Sequence, residues 1–204
     1  MAPRGPRLRR VRGLLRPLGV VLVAALVLAA VVRGLGIQNY RIPSESMLPT
    51  LEVDDVVTIW RPDALSGSID RGDVVVIDGR GSFVATLPPD DMAVLLSWFG
   101  FGPKDVFYVK RVIALGGDRL TCCDESGRLL LNGEPLDEPY LPAGVPASEA
   151  PFDIEIPADR LWLMGDNRTA SADSRSLLGK PGGGMIPTAR VLGTVIGHGS
   201  SVDA

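Results

Sequence analysis

The chain has 204 residues, 46% of them apolar but only 5% aromatic, with 24 glycines and 17 prolines. That length suits one domain with a core of its own, and so many breakers exclude a protein made mostly of long helices. The net charge of −3 hides a division: arginines at 4, 7, 9, 10, 12 and 16 stand with no acid among residues 1–17, so a +6 tail precedes a body at −9. Such a body offers phosphate backbones little attraction, which argues against a nucleic-acid partner. One histidine and two cysteines cannot supply a four-ligand zinc site, and no metal or other cofactor is expected.

Leu18 to Val32 is fifteen residues without a polar side chain. Continued to Ile37 it becomes a minimal membrane-spanning helix, with Arg33 able to carry its charge to the interface on a long stem. The arginines on its N-terminal side put the tail in the cytoplasm and residues from 38 onward outside. A cleaved secretory segment fits the same pattern, although apolar residues continue past Val27-Leu28-Ala29, the one candidate cut. Three regions follow: a basic tail over 1–17, an anchor over 18–37 and a β-rich body over 38–204.

Within the body, β-branched runs at Val56–Trp60, Val74–Ile77, Val106–Leu115, Leu129–Leu131, Leu161–Met164 and Val191–Ile196 alternate with Gly, Pro, Asp and Asn clusters. This predicts a mainly β, antiparallel fold with no βαβ rhythm. Residues 92–101, MAVLLSWFGF, read either as an inserted core element or as a loop dipping into the membrane interface. The glycine run 179–184 follows no strand and opens no helix, so it is not a phosphate loop. His198, between glycines, reads as a surface or strand-end residue. Cys122 and Cys123 are adjacent; the small ring of a bridge between them favours two buried thiols, with a vicinal or intermolecular disulfide as the alternative.

Three blocks remain that propensity does not explain: IPSESMLPTL at Ile42–Leu51, YVKRVIALGGD at Tyr108–Asp118 and MGDNRTASADSR at Met164–Arg175. Singly they read as turns, a strand's solvent face and a polar loop. Together they hold serines, a lysine set among apolar neighbours, and paired charges. A serine hydroxyl needs a base, and a lysine amine serves when burial and nearby cations bring its pKa from about 10.4 toward 7 or 8. Lys110 sits between Tyr108, Val109, Val112 and Ile113, with Arg111 beside it. Strand alternation turns Lys110 and Arg111 to opposite faces, and Arg111 then needs a carboxylate, Asp166 or Asp173.

These blocks, their order and the preceding apolar segment resemble the bacterial type I signal peptidases, membrane-bound Ser/Lys endopeptidases. The resemblance runs over about residues 16–197 and includes RGDVVVI at Arg71–Ile77. It implies coiled antiparallel β-sheets behind one transmembrane helix, with Ser46 as nucleophile and Lys110 as general base. It further implies an oxyanion hole from the Ser44 hydroxyl and the Ser46 N–H, and Ser171 hydrogen-bonded to the Lys110 amine. Arg111, Asp166, Asp173 and Arg175 would form a supporting ion-pair frame, with Gly165 and Asn167 shaping the turn. Ile42, Met47, Leu51, Tyr108 and Val109 would line shallow apolar pockets for small side chains before the scissile bond. The expected partners are exported preproteins and membrane lipid, and the expected state is a single-pass monomer facing away from the cytoplasm. ALGGD departs from the family's frequent proline before the glycine. Two other readings are a Ser/Lys protease of the same fold with another target, and an anchored, non-catalytic binding domain.

Overall fold

A computed structural model describes residues 17, 19–29, 36–84 and 107–200. Residues 19–29 are helical (α1), and the following described segment is already a strand, β1 (Ile37–Arg41), paired antiparallel with β2 (Val56–Trp60). Ile37 therefore belongs to the sheet and pairs with Trp60, where the sequence had assigned it to the apolar helix. The expected span 18–37 lies partly outside the described residues, and among those described no helix is long and apolar enough to cross a membrane. The hydrophobic segment 92–101 also lies outside them.

The remaining elements are α2 (Arg61–Ser66), β3 (Val74–Asp78), β4 (Phe107–Leu115), β5 (Arg119–Cys122), β6 (Leu129–Leu131), β7 (Glu134–Pro135), β8 (Phe152–Glu155), β9 (Arg160–Met164), β10 (Ile186–Pro187) and β11 (Val191–Gly199). They form a seven-stranded sheet ordered β1-β2-β11-β3-β4-β9-β10 and a four-stranded sheet ordered β7-β6-β5-β8. Every strand pairing in both is antiparallel. The long apolar run of β4 suits an inner strand covered on both faces, and it lies between β3 and β9. All six expected strands are present, and β1, β5, β7, β8, β10 and the helix α2 are additional. The β6–β7 hairpin turns on Asn132-Gly133, both at positive φ (54° and 90°), a conformation that asparagine and glycine tolerate best.

Three apolar clusters organise this frame. Ile42, Met47, Leu51, Val57, Ile59, Val76 and Val109 pack the loop after β1 onto the large sheet. Val75, Ile77, Val112, Leu161, Leu163 and Val191 are among a second group over β3, β4, β9 and β11. Ile113, Leu120, Leu129, Phe152, Ile156, Trp162 and Met164 join the small sheet to β4 and β9. The β4–β9 register shifts between Val112 and Ala114, and the adjacent Ile113 and Ala114 both enter the small-sheet cluster before Leu115 returns to the one that holds Val112.

Cys122 and Cys123 are disulfide-bonded, which corrects the expectation of two buried thiols. Adjacency that argued for a small ring also keeps the two sulfurs within bonding reach of each other. Cys122 packs in the cluster under the small sheet, with Cys123 against its edge. His198 lies at the end of β11, 52% exposed, with Nδ1 3.8 Å from Asp55 Oδ2.

Asp118 closes the turn between β4 and β5. Its carboxylate accepts from Arg71 Nε (2.8 Å) and Nη2 (2.7 Å), from Leu115 N (2.8 Å) and from Asn132 Nδ2 (2.9 Å), and the residue is buried. The Arg71 hydrogen bond leads the causes that hold its pKa down at about 2, despite the cost of burial. A depressed carboxylate stabilises the fold above its unfolded pKa, and that contribution is lost as pH falls toward the folded value. Urea titrations of wild type and Asp118→Asn should therefore differ by about 2 kcal/mol at neutral pH, the difference closing as pH falls from about 4 to about 2.

Candidate active site

Ser46 stands in the 3-10 turn Glu45–Met47, and its neighbours decide where it sits. Ile42, Met47 and Leu51 are at most 2% exposed and bracket it as three apolar anchors sunk into the sheet. Each such burial stabilises the loop by roughly 1.5–3 kcal/mol. The loop is closed at its base by Ile42 N donating to Asp55 O (2.8 Å) and Asp54 N donating to Ile42 O (2.9 Å). Ser46 is left just beneath the surface at 8% exposure, with Ser44 exposed beside it.

Lys110 reaches Ser46 from the middle of β4. Its Nζ lies 2.7 Å from Ser46 Oγ and 2.9 Å from the Val109 carbonyl, and the residue is 2% exposed. Burial pushes the amine down to about 8, against the opposing pull of the Asp173 and Asp166 carboxylates. The Ser44 hydroxyl lies 3.3 Å from Ser46 Oγ. A hydroxyl, a buried amine of lowered pKa and a second hydroxyl thus meet at one point, the arrangement that general-base activation of a serine requires.

The charged residues pair behind this point. Arg111 grips Asp166 through Nε (2.9 Å) and Nη2 (2.6 Å), and it also donates to the Gly72 carbonyl (2.7 Å). Arg175 pairs with Asp173 through Nε (2.9 Å) and Nη2 (2.8 Å), while Asp173 accepts from Gly165 N (3.0 Å). Both aspartates are fully buried. Asp166 is shared with Thr50, whose hydroxyl donates to Oδ2 (2.5 Å), so the serine-bearing loop and the arginine of β4 meet on one carboxylate. Sequence reasoning assigned no role to Thr50, nor to the Arg168–Glu138 pair, whose side chains are 1% and 5% exposed. A polar residue inside the first motif and an arginine inside the third were the available signals.

Two expectations differ from the geometry. Lys110 Nζ bonds Ser46 and Val109, and among the described residues the buried Ser171 hydroxyl has no hydrogen-bond partner, so the expected Ser171–Lys110 bond is not formed. Ser171 instead lies against Gly165, where an added Cβ would overlap both Ser171 Oγ and the Ser46 carbonyl oxygen. Of the expected pocket residues, Ile42, Met47, Leu51 and Val109 share one cluster, but Tyr108 does not. It stacks on Phe83 (centroids 4.5 Å apart) and packs with the cluster around Val75 and Ile77, because alternation along β4 turns it away from Val109 and onto the face of Lys110, whose Nζ lies 5.9 Å from the ring centroid.

Residues 15–197 match the family model described as "Signal peptidase, peptidase S26". A "Signal peptidase I" of Mycobacterium tuberculosis is 38% identical over 210 residues, covering 89% of this chain and 71% of that protein. "Signal peptidase I S" of Bacillus subtilis is 33% identical over 167 residues, covering 78% of this chain and 77% of its own. Among solved structures, a signal peptidase I from Enterococcus faecalis V583 is 20% identical, with a TM-score of 0.43, over 62% of this chain and 96% of that one. The match to the family model spans most of the sequence and all three motif blocks, and the chain belongs to the signal peptidase family, peptidase S26.

Proposed function

We infer that this chain is a serine endopeptidase that cleaves signal peptides from exported preproteins, with Ser46 as nucleophile and Lys110 as its base. The observation that carries the assignment is the 2.7 Å contact between a 2%-exposed lysine amine and the serine hydroxyl. The neutral amine takes the Ser46 proton as Oγ bonds to the scissile carbonyl carbon, whose π pair moves to oxygen. Ser44 Oγ and the Ser46 N–H hold that oxyanion. The C–N bond then breaks as the lysine returns its proton to the leaving amine, giving an acyl-enzyme. Water, giving a proton to the same amine, hydrolyses the ester and regenerates Ser46.

Arg111–Asp166 and Arg175–Asp173 are assigned as the supporting frame, each a tight pair with a fully buried carboxylate. Ile42, Met47, Leu51 and Val109, each at most 5% exposed, are assigned to the apolar floor beneath the small side chains that precede the scissile bond. The reaction is assigned to the outer face of the cytoplasmic membrane, with one anchor and a monomeric body. The +6 tail and apolar 18–32 support that orientation. The fourteen residues from Val32 to Ser46 would reach only about 46 Å if fully extended, confining Ser46 to the membrane boundary where a translocating chain presents its signal segment.

With a detergent-solubilised preprotein assay, Ser46→Ala and Lys110→Ala should abolish cleavage, and retained turnover in either would sink the assignment. Ser44→Ala should remain active but about 100- to 1000-fold slower in kcat. Because the base must be neutral, kcat/KM should climb about tenfold per pH unit below about 8 and level off above it. A flat profile through that range would be incompatible with Lys110 as base. Gly165→Ala should lose at least about 100-fold in kcat, since the added methyl displaces the Ser46 carbonyl; near-normal kcat in that variant would contradict the close approach.

A further inference from the structure

The direction of the Ser46 N–H is set from outside its own turn. The Asn167 side-chain amide donates to the Glu45 carbonyl (3.1 Å), and the Asn167 N–H donates to the Ser46 carbonyl (3.1 Å). The Glu45 carbonyl and the Ser46 N–H belong to one planar trans peptide unit and point in opposite directions. Holding the oxygen therefore aims the N–H. Leu48 N also donates to Glu45 O (3.1 Å), but from within the same 3-10 turn, so among the described residues Asn167 ties that plane to the turn after β9. The amide is itself oriented by Thr169, whose hydroxyl donates to Asn167 Oδ1 (3.2 Å).

The turn that carries Asn167 is held in turn by the segment that follows β7. The buried Arg168 donates from Nε to the Gly165 carbonyl (3.1 Å), from Nη1 to the Ala147 carbonyl (3.1 Å) and from Nη2 to Glu138 Oε1 (2.5 Å). Tyr140 donates its hydroxyl to Glu138 (2.7 Å), and its ring lies 4.0 Å from the Arg111 guanidinium carbon. A continuous chain of contacts thus runs from Tyr140 and Glu138 through Arg168 to Gly165, and through Asn167 to the Glu45–Ser46 peptide.

We propose that Asn167, and Glu138 acting through Arg168, are positioning residues that aim the Ser46 N–H at the oxyanion. This rests on the Ser46–Lys110 reading above. A residue that only stabilised the fold would not discriminate between substrate and a tetrahedral adduct, whereas one that aims an oxyanion donor must.

The test uses the full chain in detergent and a peptide aldehyde ending in alanine. Ser46 Oγ bonds to the aldehyde carbon, its proton passes to Lys110, and the carbonyl π pair becomes the oxyanion. Asn167→Ala and Glu138→Gln should each lower kcat about tenfold with KM within about twofold of wild type, and should weaken aldehyde binding by the same factor. Affinity for the acid product peptide should not change, and neither should the apparent pKa of kcat/KM, because neither residue is among the charges acting on Lys110. Wild-type kcat in both variants, or lost kcat with undiminished aldehyde affinity, overturns the proposal. Asn167 is half-buried, so its truncation leaves the core intact. Should Glu138→Gln melt below the assay temperature, Tyr140→Phe removes only the hydroxyl bond to Glu138 and keeps the ring under Arg111. That variant should lose about threefold in both kcat and aldehyde affinity, and its full activity would overturn the role given to Glu138. Cleavage by Ser46→Ala would instead mark failure of the underlying assignment.

Discussion

The site depends on one buried ammonium-forming group kept out of water. Lys110 is almost wholly enclosed, and enclosure disfavours its charged form enough to bring the amine to about 8, even with two carboxylates nearby pulling the other way. Arg111 and Arg175 moderate that pull by taking Asp166 and Asp173 into tight pairs. Because Arg111 follows Lys110 on the strand, one short stretch of β4 delivers the base to one face and a counter-cation to the other.

Everything else in the fold serves to bring a serine to that amine and hold it there. The loop from Ile42 to Asp55 has little regular structure of its own, yet three anchors sunk in the sheet and a backbone clasp at its base fix its path. Thr50 then fastens it to Asp166, the same carboxylate that Arg111 holds. The third element, the turn after β9, reaches over to the Ser46 backbone through Asn167 and leaves no room for a side chain at Gly165. Loop, strand and turn are distant in sequence, and their mutual contacts are polar at the site and apolar beneath it.

The small sheet has a part in this arrangement although it carries none of the reacting groups. It packs on β4 and β9 through a cluster that includes Trp162 and Phe152, with ring centroids 5.4 Å apart. The segment trailing β7 supplies Glu138 and Tyr140, which receive Arg168 and cover Arg111. Burying an arginine is tolerable when its donors are satisfied, and Arg168 has a carboxylate and two carbonyls for that purpose.

The sequence alone determined the family, singled out the serine and lysine that the structure brings together, and marked six of the strands, because each of these is local: a polar group within a specific short motif, or an apolar run between turn formers. It also separated Lys110 from Arg111 by strand alternation and narrowed the arginine's partner to two aspartates. Tertiary structure alone chose Asp166 over Asp173, since that choice depends on which carboxylate the turn after β9 brings against β4. It likewise joined Thr50 to Asp166, 116 residues away, and Arg168 to Glu138, 30 residues away, pairs that no periodicity announces. It turned Tyr108 away from the cluster it had been grouped with, and it closed the two cysteines into a disulfide. The strands β5 (RLTC) and β8 (FDIE) were invisible for a related reason: neither is an apolar run like the three leucines of β6, and they become strands by pairing with each other. Local chemistry could be read residue by residue, whereas the support that makes the chemistry work is a set of long-range contacts that exist only once the chain has closed on itself.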